Sequence, residues 1–144
     1  MPLKIWTGLL ASAFLSSTLL PGSSEAYTIY LVRSHYPVML VFLIASAGNI
    51  LGSLVNYWIG RGGYRLLKNR IWGFSKKNLA RSRLLFRKYG AIALFFAFLP
   101  VIGDPVTGVA GLMRYPLKKF LVVVAAGKLF RYAFVIWLFY PVGK

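Results

Sequence analysis

Hydrophobic positions along this chain fall into long runs, separated by prolines, glycines and basic clusters. Pro37 to Gly60 is a stretch of 24 residues without a charge, and Phe120 to Tyr140 is a second run interrupted only by Lys128 and Arg131. Both have the length and character of a membrane-spanning helix. Two shorter runs, Ile92 to Leu99 and Val106 to Met113, flank Pro100, Gly103, Asp104 and Pro105. Eight helical residues reach only about 12 Å, against roughly 30 Å of bilayer hydrocarbon, so neither arm crosses alone. The pattern predicts a re-entrant hairpin that enters the membrane, breaks between Pro100 and Pro105, and leaves by the same side. Irregular backbone at that depth is tolerated only where protein buries it or a wet cavity adjoins it.

The N-terminal run, Ile5 to Leu20, is followed by Pro21, Gly22, Ser23, Ser24, Glu25 and Ala26. One reading is a signal peptide, with Lys4 as its basic start and Ser24-Glu25-Ala26 as a cleavage site, so that residues 1–26 would be lost. The other is a first broken hairpin with Ala26 to Val32 as its return arm. An internal repeat favours the hairpin. Displaced by 79 positions, Leu20-Pro21 falls on Leu99-Pro100, Glu25 on Asp104, Tyr36-Pro37 on Tyr115-Pro116, and Ala47-Gly48 on Ala126-Gly127. The chain's two acids thus occupy equivalent places.

Each repeat reads as one hairpin plus one crossing, an odd number of passages, so the two repeats must be inverted relative to each other. The expected organisation is a single membrane domain: repeat 1 over about 5–60, a basic loop over 61–90, and repeat 2 over about 91–140. The fold class is all-α and integral to the membrane.

Charge fits this topology. Net charge is +16, and ten of the 18 basic residues lie between Arg61 and Gly90. The positive-inside rule places that loop in the cytoplasm, a simpler account than nucleic-acid binding, which is not expected. Re-entrant hairpins keep Arg114, Lys118 and Lys119 on the same side. Asn78 to Tyr89 reads either as a surface helix on anionic headgroups or as a solvated loop that only sets topology. Cysteine is absent and there is one histidine, so thiolate and metal sites are not expected, nor any other cofactor.

Few residues remain that could carry chemistry. Asn49, Ser53 and Asn56 form a polar stripe on the first long span, with Tyr57 beside it. The stripe either joins helices or lines a cavity facing the hairpin tips. Gly48 and Gly52 are spaced for close helix packing. Glu25, Asp104, Lys128 and Arg131 stand at membrane depth, where each charge costs about 2.5–3.5 kcal/mol at a span centre. Left unpaired, the four would cost on the order of 10 kcal/mol, comparable to the stability of a whole domain. Lys128 and Arg131 share a helix face, and the expectation is that both acids approach them. Such a cluster is either a static ion pair or a site that handles protons or an anionic substrate. His35 reads as an interfacial residue. Ser23 and Ser24 lack a companion base, so no catalytic triad is present and an enzyme is not expected.

LLPGSSE, GNILGSLVNYWIGR, FLPVIGDPVTGVAGLMRYPLKKF and AAGKLFRY together resemble the DedA family of membrane proteins, also called VTT or SNARE-associated domain proteins, and within it the small YqaA-like branch. The resemblance covers about Phe14 to Tyr132. It implies a multi-pass protein of the bacterial inner membrane, with membrane lipids as partners and roles in lipid translocation and proton-motive-force-dependent envelope homeostasis. By motif it assigns the functional acid to Glu25, after Pro21 and Gly22. It matches Gly48, Gly52, Tyr57, Gly60 and Arg61 in the long span, and Pro100, Ala110 and Gly111 in the second hairpin. This chain departs from the pattern at Asn49, where many members carry an acid. It departs again at Phe98 and Gly103, where they carry arginines; if those arginines grip a phosphate, this chain either lacks the grip or uses Lys128 and Arg131 instead. The expected activity is a lipid translocase for an anionic amphiphile, with Glu25 and Asp104 titrating and Lys128 and Arg131 attracting the anion. The alternative is a lipid-binding scaffold for envelope assembly. Two crossings and two hairpins barely enclose a pathway, which makes a homodimer a natural arrangement.

Overall fold

Tyr-Pro occurs twice, and both times it ends a helix by the same device. Leu31 and Val32 accept the backbone N–H groups of Tyr36 and His35, at 3.1 and 3.3 Å; Ala110 and Gly111 accept those of Tyr115 and Arg114, at 2.9 and 3.0 Å. His35 and Arg114 hold the left-handed conformation that this stop requires, with φ of 62° and 54°. This is the Schellman arrangement, which satisfies carbonyls that a helix end leaves without partners. Pro37 and Pro116 follow and cannot continue the preceding helix. The positions of the two stops differ by 79, so the repeated sequence builds a repeated turn.

The computed structural model describes residues 2–18, 22–69, 76–96 and 103–140, and for Pro2, Thr18, Tyr64 and residues 66–69, 76–79 and 103–104 the backbone alone. The described elements are helices: α1 (Pro2–Thr18), α2 (Ser23–Arg33), α3 (Val38–Asn69), α4 (Lys76–Phe95), α5 (Gly103–Leu112) and α6 (Leu117–Phe139). Two of them contain stretches long and apolar enough to cross a membrane, Val38–Gly63 and Leu117–Phe139. Those stretches coincide with the two expected spans.

The chain divides into two compact units, residues 1–52 with 128–144, and residues 53–127. In the first, α1 lies against α2 and against the start of α3. A Cβ on Gly48 would fall 2.6 Å from the Leu10 carbonyl, and one on Gly52 2.7 Å from that of Phe14. The two glycines are therefore where α1 and α3 touch backbone to backbone, as the small-residue spacing predicts. Leu9, Leu31, Val32, Val41, Ala45, Tyr132 and Ile136 form the core. Contacts between α2 and α6 advance together along both helices, from Ser24–Tyr132 to Arg33–Phe139, so the two run in the same direction.

In the second unit α4 lies against α5, and α5 crosses the C-terminal half of α3. Any side chain on Gly60 would collide with the Gly108 carbonyl, and any on Gly111 with that of Tyr57. Gly108 lies against Asn56 and Gly60, and Gly111 against Tyr57 and Arg61, so the two helices meet at a crossing made of small residues. The core here is Tyr57, Leu94, Ala110, Tyr115, Phe120 and Val124. Ala110, Phe120 and Val124 stand 79 residues after Leu31, Val41 and Ala45 of the first core, and Ile136 of that core stands 79 after Tyr57.

Three boundaries differ from expectation. The basic segment 61–90 is largely helical: α3 continues to Asn69 and α4 begins at Lys76. The surface helix expected over Asn78 to Tyr89 and the apolar arm expected from Ile92 are one helix, because Gly90 does not break it. Gly90 is buried beneath Phe86 and Tyr115, where a larger residue would not fit. Finally, Gly103 and Pro105, expected in the hairpin break, lie in the first turn of α5. Proline is tolerated there, since first-turn N–H groups have no partner within the helix. Pro21 and Pro100 lie outside the described residues.

Candidate functional site

α2 begins at a glycine because the chain needs one there. Gly22 adopts φ 94°, a left-handed conformation that side-chain-bearing residues rarely enter. The bend delivers Ser24 and Glu25 to the first turn of α2, where a carboxylate is favoured by the helix dipole. Two consecutive residues then meet two consecutive residues of α6. Ser24 Oγ and the Tyr132 hydroxyl share a buried hydrogen bond of 2.8 Å. Glu25 Oε1 pairs with the Arg131 guanidinium, and the two side chains retain only 17% and 11% of their exposure. One turn earlier on α6, Lys128 is fully buried.

Other hydroxyls are buried in the same unit. Ser16 on α1, Thr28 on α2 and Ser46 on α3 are buried, and their hydroxyls have no hydrogen-bond partner among the described residues. Thr28 stands one turn beyond Ser24 on the buried face of α2. An unsatisfied buried hydroxyl costs roughly 1–3 kcal/mol, so three of them mark an interior not optimised for packing alone.

Of the four ionisable residues expected to converge, the structure brings Glu25 and Arg131 together, with Lys128 on the same helix. The Asp104 side chain lies outside the described residues. Asn49 of the polar stripe, and Tyr57 beside it, join elements. Asn49 is buried and donates from Nδ2 to the Ala13 carbonyl at 3.2 Å. Tyr57 is buried and donates its hydroxyl to the Tyr115 carbonyl, tying α3 to the second Schellman turn. Arg61 Nη1 donates in turn to the Tyr57 hydroxyl at 3.2 Å, and its guanidinium lies 5.6 Å from the Trp58 ring. Ser53 is buried and Asn56 half-buried. Sequence reasoning missed Ser24 and Tyr132 as a pair. The signal was there: Tyr132 lies one turn after Lys128 on the face that carries the cations, and Ser24 precedes Glu25.

Among the described residues no cluster of His, Cys, Asp and Glu is arranged to hold a metal ion.

Comparison with known proteins agrees with this picture of a membrane-embedded helical protein. The chain is 36% identical over 129 residues to the inner membrane protein YqaA of Escherichia coli, covering 88% of this chain and 85% of that protein. It is 35% identical over 145 residues to a protein of Haemophilus influenzae, covering 90% and 84%. A more distant relative, undecaprenyl phosphate transporter A of Staphylococcus aureus, is 30% identical over 107 residues, 67% of this chain and 51% of that one. No solved structure matches. The VTT domain matches residues 20–140, almost from the first break to the end of α6, and the chain belongs to the VTT domain (DedA) family of inner-membrane proteins.

Proposed function

We propose that the protein moves an anionic amphiphile, a lipid with a phosphate headgroup, across the inner membrane. The Glu25–Arg131 pair would be the working centre. The observation that carries this reading is the pair itself: an acid at the start of a short broken helix meets a cation within a membrane-spanning one. As a structural brace this is a poor choice, since a buried ion pair is often no more stabilising than apolar residues of similar volume. As a site that exchanges partners it is a good one, because a phosphate competes for the guanidinium while the carboxylate takes up a proton. Lys128 supplies further positive charge, and the hydroxyls of Ser16, Thr28 and Ser46 supply donors for headgroup oxygens. Two relatives bear the name undecaprenyl phosphate transporter A, which supports a phosphate-bearing lipid as the substrate class.

The same reading extends to topology. α2 runs alongside α6, and α5 crosses α3, each short helix then turning at a Schellman stop into the other long one. The repeated stops and the parallel run of α2 and α6 support two re-entrant units in inverted repeat within one domain, with segment 61–90 cytoplasmic and Asp104 as the counterpart of Glu25. The test is lipid translocation in proteoliposomes across a pH gradient, comparing wild type with Glu25→Gln and Asp104→Asn after checking insertion. Loss of gradient-dependent movement in the well-folded variants is the expected result. Unchanged movement would remove the proton-linked mechanism. A wild type that moves no lipid in a broad panel would favour the scaffold.

A further inference from the structure

The second unit carries far more positive charge than its own carboxylates can balance. Residues 53–127 hold 13 basic side chains and a single acid, Asp104. Arg65, Arg81, Arg87, Lys88, Lys118 and Lys119 are exposed, where water and salt screen them. Arg61, Arg83 and Arg114 are half-buried. These three need a different account.

Arg61 and Arg114 are built into the stop between α5 and α6. The Arg61 backbone lies against Gly111, whose carbonyl accepts the Arg114 N–H at 3.0 Å. Arg61 also donates to the Tyr57 hydroxyl, which donates to the carbonyl of Tyr115, the residue after Arg114. That contact uses one of the N–H groups of the guanidinium, and the Trp58 ring 5.6 Å away restrains the remainder. The Tyr115 and Phe86 rings meet nearly at right angles, their centroids 5.6 Å apart, which brings α4 to the same turn. Arg83 stands one turn before Phe86, on the face of α4 that Gly90 and Leu94 also turn inward. Its Nε is enclosed and has no hydrogen-bond partner among the described residues. A covered donor without an acceptor is costly, so an arginine on that face calls for an anion. The backbone of Arg114 points the same way. It holds a left-handed position, φ 54°, that glycine fills more easily, and strain of this kind is retained where the side chain has a task.

The turn stands at headgroup level. Arg61 lies just inside the end of the apolar stretch Val38–Gly63, and Arg114 just before the start of Leu117–Phe139. The outer face of α4 mixes exposed Leu84, Leu85 and Ile92 with exposed Arg81, Arg87 and Lys88, the composition of a helix lying in the membrane interface. We infer that Arg61, Arg83 and Arg114 form a binding site for a phosphate group at the stop between α5 and α6. Guanidinium groups suit this anion because their rigid forks match phosphate oxygens. The phosphate is a lipid headgroup of the adjoining leaflet or the free anion, and the two sources are separable by experiment. The site belongs to the second unit and uses neither Glu25 nor Arg131. It does not depend on the protein transporting anything.

The test is thermal unfolding of the full-length protein in an uncharged detergent. It would be titrated with phosphatidylglycerol, with phosphatidylcholine of identical chains, and with inorganic phosphate against chloride at equal ionic strength. A ligand that binds the folded state raises the unfolding temperature in a concentration-dependent way. Wild type is expected to respond to phosphatidylglycerol or inorganic phosphate more than to phosphatidylcholine or chloride. A response to the lipid alone assigns the phosphate to a headgroup, and a response to inorganic phosphate assigns it to the free anion. Arg83→Gln and Arg114→Gly are each expected to weaken the apparent affinity about fivefold, the effect of one interfacial charge. Arg114→Gly relieves a left-handed residue, so poor folding would not explain its loss of response. Lys88→Gln removes the same charge from the exposed face of α4 and is expected to leave the affinity nearly unchanged. Equal weakening in Lys88→Gln would mean diffuse attraction, and a response surviving both arginine changes would belong elsewhere, Arg131 included. Either result, or no response in wild type, would overturn the assignment.

Discussion

The two units end their short helices with the same turn and fill their cores in part from equivalent positions, yet their described polar links are unlike. In the first, α2 meets α6 through Glu25–Arg131 and Ser24–Tyr132, with Lys128 buried one turn away. In the second, the described polar link from α3 to the turn after α5 is the neutral Tyr57 hydroxyl on a backbone carbonyl, with Arg61 behind it. Counting 79 residues back from Lys128, Arg131 and Tyr132 gives Asn49, Gly52 and Ser53. The repeated sequence therefore keeps the turn and several core positions, while the described polar links differ. Among the described residues, one unit joins its helices through an ion pair; the other packs glycine on glycine and holds its turn with a tyrosine. A shared fold constrains backbone approach and turn geometry, whereas the polar residues facing inward are free to diverge.

The largest way to break this comparison is at the ion pair. Arg131→Met leaves the Glu25 carboxylate buried without its cation, and a loss of about 3–5 kcal/mol is expected from thermal unfolding in detergent. Adding Glu25→Gln to that variant should recover much of it. The corresponding change in the second unit acts through packing. Gly111→Ala forces α5 away from the Tyr57 carbonyl and should cost about 1–3 kcal/mol by the same assay, with no rescue from any charge change. Smaller still, Tyr57→Phe leaves the Tyr115 carbonyl without its donor. It should cost roughly 1–2 kcal/mol while leaving any activity that depends on Glu25 in place. The smallest effect has the opposite sign: Arg114→Gly relaxes a left-handed residue and should stabilise by about 0.5–1 kcal/mol, as His35→Gly should in the first unit.

Much of the architecture was legible from patterning because the membrane is a strict solvent. Two long apolar runs were readable as spans, and the repeated Tyr36-Pro37 and Tyr115-Pro116 proved to follow the two helix stops. The continuity of α4 was not legible, because its composition changes from basic to apolar near Gly90 while its backbone does not change. Glu25 and Arg131 could be expected to meet, since a charge at that depth needs a partner. Which cation would take which acid depends on how far along α6 the start of α2 lies, and spacing along one chain does not encode that. The stripe of Asn49, Ser53 and Asn56 read equally as glue or as cavity lining. The hydrogen bond from Asn49 to the Ala13 carbonyl gives that residue the first role.

The most direct test of the central claim is charge reversal at the pair. Glu25→Arg and Arg131→Glu, singly and together, would be measured for both thermal stability and lipid translocation. A working centre predicts that the double variant regains stability but not translocation, because the acid then stands on the spanning helix and the cation on the broken one. Recovery of both in the double variant would show the pair to be a brace and place the working centre elsewhere.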